Sequence, residues 1–321
     1  MAARDMNIEI ARVASLVGVV TIHAHVLGMF GAATAAGFLA DELSRFAVPL
    51  FFMLSGYLWK PVVLELPVGF LLRLARRVLV PYFLWVAIYL AVDRSGLLGP
   101  ATHAGTLKQW VVTLLAGDPG YHLWFLPGLW LGSALALLLI RLAGVGWAFA
   151  ATAALFVMAS FVGAYARRWG VDPPSFVYRN GVGFAAFFIL AGYMARGRKP
   201  GMAPALAAMI LGGAGQVAEG YALVGDYPAG HDFSLSTALY AIGVMAVVLS
   251  LPERRESRVG AWGGDVFGAY LVHLLVLMVY AAAIPARGLA PAALCVLIST
   301  AVSLILSRLW RRARRTAAPV A

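Results

Sequence analysis

Runs of about twenty apolar residues, separated by short charged breaks, recur along the whole length of this 321-residue chain. A helix of about that length crosses the hydrocarbon core of a bilayer. Ten such runs are read, near 7–30, 43–60, 74–92, 121–140, 145–166, 176–195, 201–218, 234–251, 262–284 and 289–309. What remains between them is too short for a separate soluble domain. Composition agrees, with 62% hydrophobic and 12% charged residues, against about 45–50% and 25% in soluble domains. The expected fold is therefore all-α, a polytopic integral membrane bundle of about ten transmembrane helices. It forms one domain over 1–321, with a basic cytoplasmic tail at 309–321. The segment 107–116 is either an interfacial helix or part of a span. A single cysteine, Cys295, excludes an internal disulfide and any multi-cysteine metal or redox motif.

The net charge of +11 has a simple reading in a membrane chain, namely positive-inside loops facing anionic headgroups, with no nucleic-acid partner. With the N-terminus inside, the inner segments carry 17 Lys and Arg and the outer ones 6. That bias puts both termini in the cytoplasm. The pair Arg167 and Arg168 is the main exception. The apolar stretch 13–22, followed by AATAA at 32–36, has some features of a signal peptide. Glu9, Arg12, His23 and His25 interrupt that pattern, so the segment reads as an uncleaved first membrane helix.

Ionisable side chains inside spans are costly, so each is a functional candidate. The first span holds Glu9, Arg12, His23 and His25. Arg12 and His23 stand about three helical turns apart on one face, with a rise of about 16 Å. His25 points about 200° away from His23 and reads as a packing histidine. Arg73, Arg76 and Arg77 share a helical face ahead of Pro81, which bends that helix or marks its first turn. Their guanidinium forks suit bidentate phosphate contacts, although a positive-inside anchor has the same pattern. Arg45, His122, Trp124, Arg179 and His273 are further polar or aromatic landmarks, each by itself compatible with a structural role. The loop 219–233 holds Glu219, Asp226, His231 and Asp232 without compact metal-ligand spacing, and no metal is expected. There is no P-loop, GxSxG or HExxH, which argues against an ATP-driven pump, a serine hydrolase and a zinc protease.

Taken in order, these residues resemble the acyltransferase 3 family of integral-membrane O-acyltransferases. Arg12 and His23 match the family's Arg-x10-His in the first helix. RFAVPLFFMLSGYL at 45–58 matches the segment that follows. Arg73 and Arg77 ahead of Pro81-Tyr82 match the arginine pair on the third helix, and HLWFL at 122–126 and YLVH at 270–273 match later landmarks. Glu9 is a departure, because the family commonly has Asp there; the carboxylate is kept. The resemblance implies transfer of an acyl group, usually acetyl, from cytoplasmic acyl-CoA to a hydroxyl of a carbohydrate or lipid-linked glycan. The expected setting is a bacterial cytoplasmic (inner) membrane. It implies His23 as base or acyl carrier with Arg12 and Glu9, and CoA phosphates on Arg73, Arg76 and Arg77. Arg45, His122, Trp124 and His273 would bind the acceptor. Acyl-CoA is then a co-substrate, with no permanently bound cofactor. Some members carry an extracytoplasmic SGNH hydrolase-like domain; if one is needed here, an extracytoplasmic partner protein would supply it. The competing reading is a secondary transporter or flippase using the same charges as a permeation path, although no two-half symmetry is visible. A sensor or scaffold without chemistry would not need Arg12 and His23 on one face.

Overall fold

The structure is a computed structural model that describes residues 5–31, 34–98, 105–224, 227 and 229–316. Arg4, Asp226 and the end of the basic tail at 317–321 lie outside the described residues, as do the side chains of Lys108 and Arg315. Helices make up nearly all of what is described, with no strand among those residues. In chain order they are α1 (Met6–Val26), α2 (Ala35–Ser44), α3 (Ala47–Tyr57), α4 (Val62–Glu65), α5 (Pro67–Ser95), α6 (Leu107–Ala116), α7 (Phe125–Val162), α8 (Ser175–Tyr178), α9 (Ala186–Met194), α10 (Met202–Ala218), α11 (Leu235–Ser250), α12 (Val266–Ala283) and α13 (Leu289–Thr316).

Local chemistry sets several of these boundaries. Asp5 caps α1 by accepting from the Asn7 backbone N–H at 2.9 Å. Thr34 caps α2 in the same way through Gly37. Thr106 and Gln109 form a reciprocal capping box at the start of α6, and Gly117 ends that helix in the left-handed conformation that glycine adopts without steric cost. The segment 107–116 is thus a separate ten-residue helix. Pro81 sits inside α5, well past its first turn. The long helix α7 has a non-helical break at Gly144, with φ 78° and ψ 169°, so 125–143 and 145–162 are two helical rods. This is the boundary expected between 121–140 and 145–166.

Among the described residues, five stretches are long and apolar enough to cross a membrane: Met6–Val26, Pro67–Ser95, Tyr121–Trp169, Gly260–Ala283 and Leu289–Arg314. The broken Tyr121–Trp169 stretch counts as one of them. Gly181–Met194 and Leu235–Ser250 are apolar but shorter. Each of the ten expected runs contains helix, and among the described residues five helices, against the ten expected, are of membrane-crossing length and hydropathy. Close packing accompanies the short helices. Gly56 on α3 and Gly192 on α9 let the two backbones touch, because a Cβ on either would run into the carbonyl of Ile189 or Met53.

Helix α1 is the central element and packs against α2, α3, α12 and α13. Its start meets the 251–265 segment: Met6 N–H donates to Arg254 O at 2.9 Å, and Asn7 Nδ2 donates to Pro252 O at 2.8 Å. Buried Asp265 in that segment accepts from Arg308 at 2.9 Å and pairs with Arg311 at 2.7 Å, both on α13. The beginning of α1 and the end of α13 therefore share one end of the bundle. The basic tail is continuous with α13 as far as Thr316. At the opposite end, Gly288 N–H donates to Met29 O, and His25 bonds Ala229 O at 3.0 Å.

Candidate active site

Three histidines from distant parts of the sequence meet near the end of α1 that lies away from its N-terminus. His23 is on α1, His122 on a short 3-10 turn (Tyr121–Trp124) that leads into α7, and His273 on α12. The ring centroids of His23 and His273 are 5.2 Å apart and nearly stacked; those of His122 and His273 are 4.8 Å apart and edge-on. His23 and His122 are 6.0 Å apart. Tyr121 stands edge-on to His23 at 5.1 Å. The 3-10 turn is pinned from two sides: Tyr270 OH donates to His122 O, and the Tyr89 ring lies 5.3 Å from that of His122. Tyr89 OH also donates to Leu271 O at 3.1 Å, which ties α5 to α12.

His23, Arg45, His122, Trp124, Arg179 and Asp232 line one cavity of about 540 Å³, its open mouth included. Phe125, Phe184, Phe233 and Tyr270 supply apolar wall. The polar rim is an ion-pair chain. Asp41 holds Arg45 at 2.6 Å, one helical turn away, Arg45 reaches Asp232 at 3.5 Å, and Arg179 pairs with Asp232 at 2.6 Å. Arg179 also lies over the Trp124 ring at 5.2 Å, a cation–π contact. Tyr178 OH donates to Asp232 at 3.1 Å. Burial works to raise the Asp232 carboxyl, but the adjacent Arg179 and Arg45 hold it below its ordinary range.

Behind this rim, fully buried Glu42 accepts from the His231 backbone N–H at 3.1 Å and from Gln216 at 2.7 Å, and meets His231 Nδ1 at 2.9 Å. Thr237 and Ser234 donate to Gln216 Oε1 at 2.6 and 3.3 Å. The network clips the loop before α11 onto α2 and α10 and so fixes Asp232 at the cavity. Sequence reasoning named His231 and Asp232 but missed Asp41, Glu42 and Gln216. The available signal was two adjacent carboxylates three and four residues ahead of Arg45 at the edge of an apolar run.

Of the residues assigned by resemblance, the fold brings together His23, Arg45, His122, Trp124 and His273. It keeps the others apart. Arg12 is not among the residues lining the cavity; it pairs with Glu9 at 3.1 Å, and Glu9 packs against Gly263. Arg73, Arg76 and Arg77 are exposed on α5 and are likewise outside the cavity lining. They lie toward the Arg12 end of the bundle. Phe70 packs on Trp59 at 5.6 Å, beyond the end of α3 opposite Arg45. Arg77 is also about 18 Å along α5 from Tyr89, which touches His122. His25 faces the 229 loop instead of the cavity. Among the described residues no group of three or more His, Cys, Asp or Glu has an arrangement that could hold a metal ion.

No curated protein and no solved structure matches the chain. The family model described as an acyltransferase domain, acyltransferase 3, matches residues 6–308, nearly the whole chain. The chain belongs to the acyltransferase 3 family and is a membrane acyltransferase.

Proposed function

We propose that the protein transfers an acyl group, acetyl being the expected one, from cytoplasmic acyl-CoA to a hydroxyl of a carbohydrate or lipid-linked glycan. Both termini lie in the cytoplasm, and the membrane is the bacterial inner membrane. The observation that carries the reading is the position of His23 in a lined cavity at one end of the bundle, with Arg12, Arg73, Arg76 and Arg77 at the other. The separation is about 16–18 Å along the helix axes. A long, thin pantetheine arm suits that distance, with its phosphates held at the arginine end. The acceptor would enter from the cavity side, among Arg45, Trp124 and His122.

In this scheme His23 takes the proton of the acceptor hydroxyl as its oxygen bonds to the thioester carbonyl carbon. The carbon–sulfur bond breaks, and His23 returns the proton to the departing thiolate. Arg12 and Glu9 form a fixed ion pair at the far end of the same helix, where a carboxylate-steadied guanidinium suits CoA phosphate better than chemistry at the carbonyl. The test compares envelope glycans and lipids by mass spectrometry in gene-deleted cells carrying wild type or His23→Ala. An added acyl mass with wild type, lost with His23→Ala at equal protein level, is the expected result. Identical acylation in both removes His23 from the mechanism, and no acylated species in either removes the proposed acceptor class.

A further inference from the structure

The histidine cluster around His23 has an unsolved hydrogen-bond balance. His273 is fully buried, and its Nδ1 lies 2.6 Å from Tyr270 O. A carbonyl oxygen only accepts, so Nδ1 carries the hydrogen and Nε2 of the neutral ring carries the lone pair. That Nε2 is buried with no partner among the described residues, and so is Nδ1 of His23, whose ring is stacked beside it at 5.2 Å. Buried polar atoms are nearly always paired, and leaving one unmade costs stability. His122 Nδ1 and Nε2 and the Tyr121 hydroxyl are buried without a partner there too, but His23 is the ring stacked on His273, so its free nitrogen and the His273 lone pair answer each other.

We infer that His273 is a positioning residue for His23: its Nε2 accepts from His23 Nδ1–H, through one bridging water or directly once the rings turn out of their stacked orientation. The inference rests on the proposed role of His23 as base. It assigns His23 the Nδ1–H tautomer, which leaves the base lone pair on Nε2. When His23 Nε2 takes the acceptor's proton, the ring becomes an imidazolium whose Nδ1–H already has an acceptor. A second histidine here does the work that a carboxylate does beside a catalytic histidine elsewhere, and it brings no extra charge into the bundle. The His122 ring is also close to His273, at 4.8 Å and edge-on, but it stands 6.0 Å from His23.

The test uses the full chain in lipid bilayers with 15N-labelled histidine. The chain has only 6 histidines, so the His23 signals are identified by their loss in His23→Ala. In wild type His23 is expected as the Nδ1–H tautomer, and in His273→Phe it should shift toward Nε2–H. His273→Asn, which offers an oxygen acceptor, should restore the wild-type pattern in part. In cells His273→Phe should lower acylation roughly 10²-fold, with the acetyl-CoA dissociation constant unchanged. Nε2–H on His23 in wild type overturns the proposal without any variant, and so does an unchanged tautomer in His273→Phe. Full activity in His23→Ala would remove the catalytic reading and leave the tautomer result standing, so the two failures are distinct.

Discussion

Arg179 and Asp232 meet at 2.6 Å at the cavity that holds His23. One residue leads out of α8 and the other precedes α11, so this contact joins the two sides of the cavity rim. Arg45 adds to it from the other flank at 3.5 Å. The carboxylate is held below its ordinary range despite burial that works to raise it, so it contributes stability in its ionised form. That stability is fully present above the unfolded-state value of about 3.9. It is lost as pH falls through the lower folded-state value. Thermal unfolding of the purified protein should show this contribution unchanged between neutral pH and pH of about 5, and falling only in stronger acid. Asp232→Asn should remove that acid-side loss. A wild-type curve and an Asp232→Asn curve with the same acid dependence would assign it to other groups.

The two histidines near the end of α1 should behave differently. His23 lines the cavity, whereas His25 bonds the Ala229 carbonyl at 3.0 Å. His23→Ala should lower acylation by about 10²–10⁴-fold, the usual cost of a lost general base. His25→Ala removes one loop contact, worth about 0.5–1.5 kcal/mol, and should keep substantial activity. Matched-expression acylation assays check this, and equal losses would point to packing.

Arg73 and Arg77 are exposed, with no ion pair to a described residue. Replacing them by Ala should leave the unfolding temperature in place and weaken acyl-CoA binding. Lys should rescue only in part, because its ammonium cannot form the planar bidentate fork. Equilibrium binding of acetyl-CoA to the purified protein is the measurement. An unchanged dissociation constant in both Ala variants rejects the phosphate assignment.

Gly56 and Gly192 allow the α3 and α9 backbones to touch. A larger residue must push those helices apart, and overpacking of this kind costs about 1–3 kcal/mol or more. Gly56→Leu should therefore lower the yield of folded protein and its unfolding temperature more than Gly69→Ala on α5, where the nearest neighbour is a flexible arginine tip. Size-exclusion profiles and thermal unfolding in detergent read the difference.

The sequence by itself determined the helical, membrane-embedded character, because apolar runs separated by charged breaks leave few other ways to satisfy the backbone. It also determined the split between His23 and His25, which is a property of the helical repeat, and the ordered landmarks that carry the family. The break at Gly144 was legible as a gap between two runs. Only the tertiary structure decided that His122 and His273 stand beside His23, since helix periodicity says nothing about which spans are neighbours. It alone showed that Arg45, Arg179 and Asp232 form one ion-pair chain, and that Glu42 and Gln216 anchor the loop carrying Asp232. Those residues are 174 positions apart, and their pairing is driven by the cost of leaving either one unpaired in a low-dielectric interior. Tertiary packing likewise decided where the cavity lies: Arg12 and His23 share α1, and α3, α7 and the 232 loop converge at the His23 end.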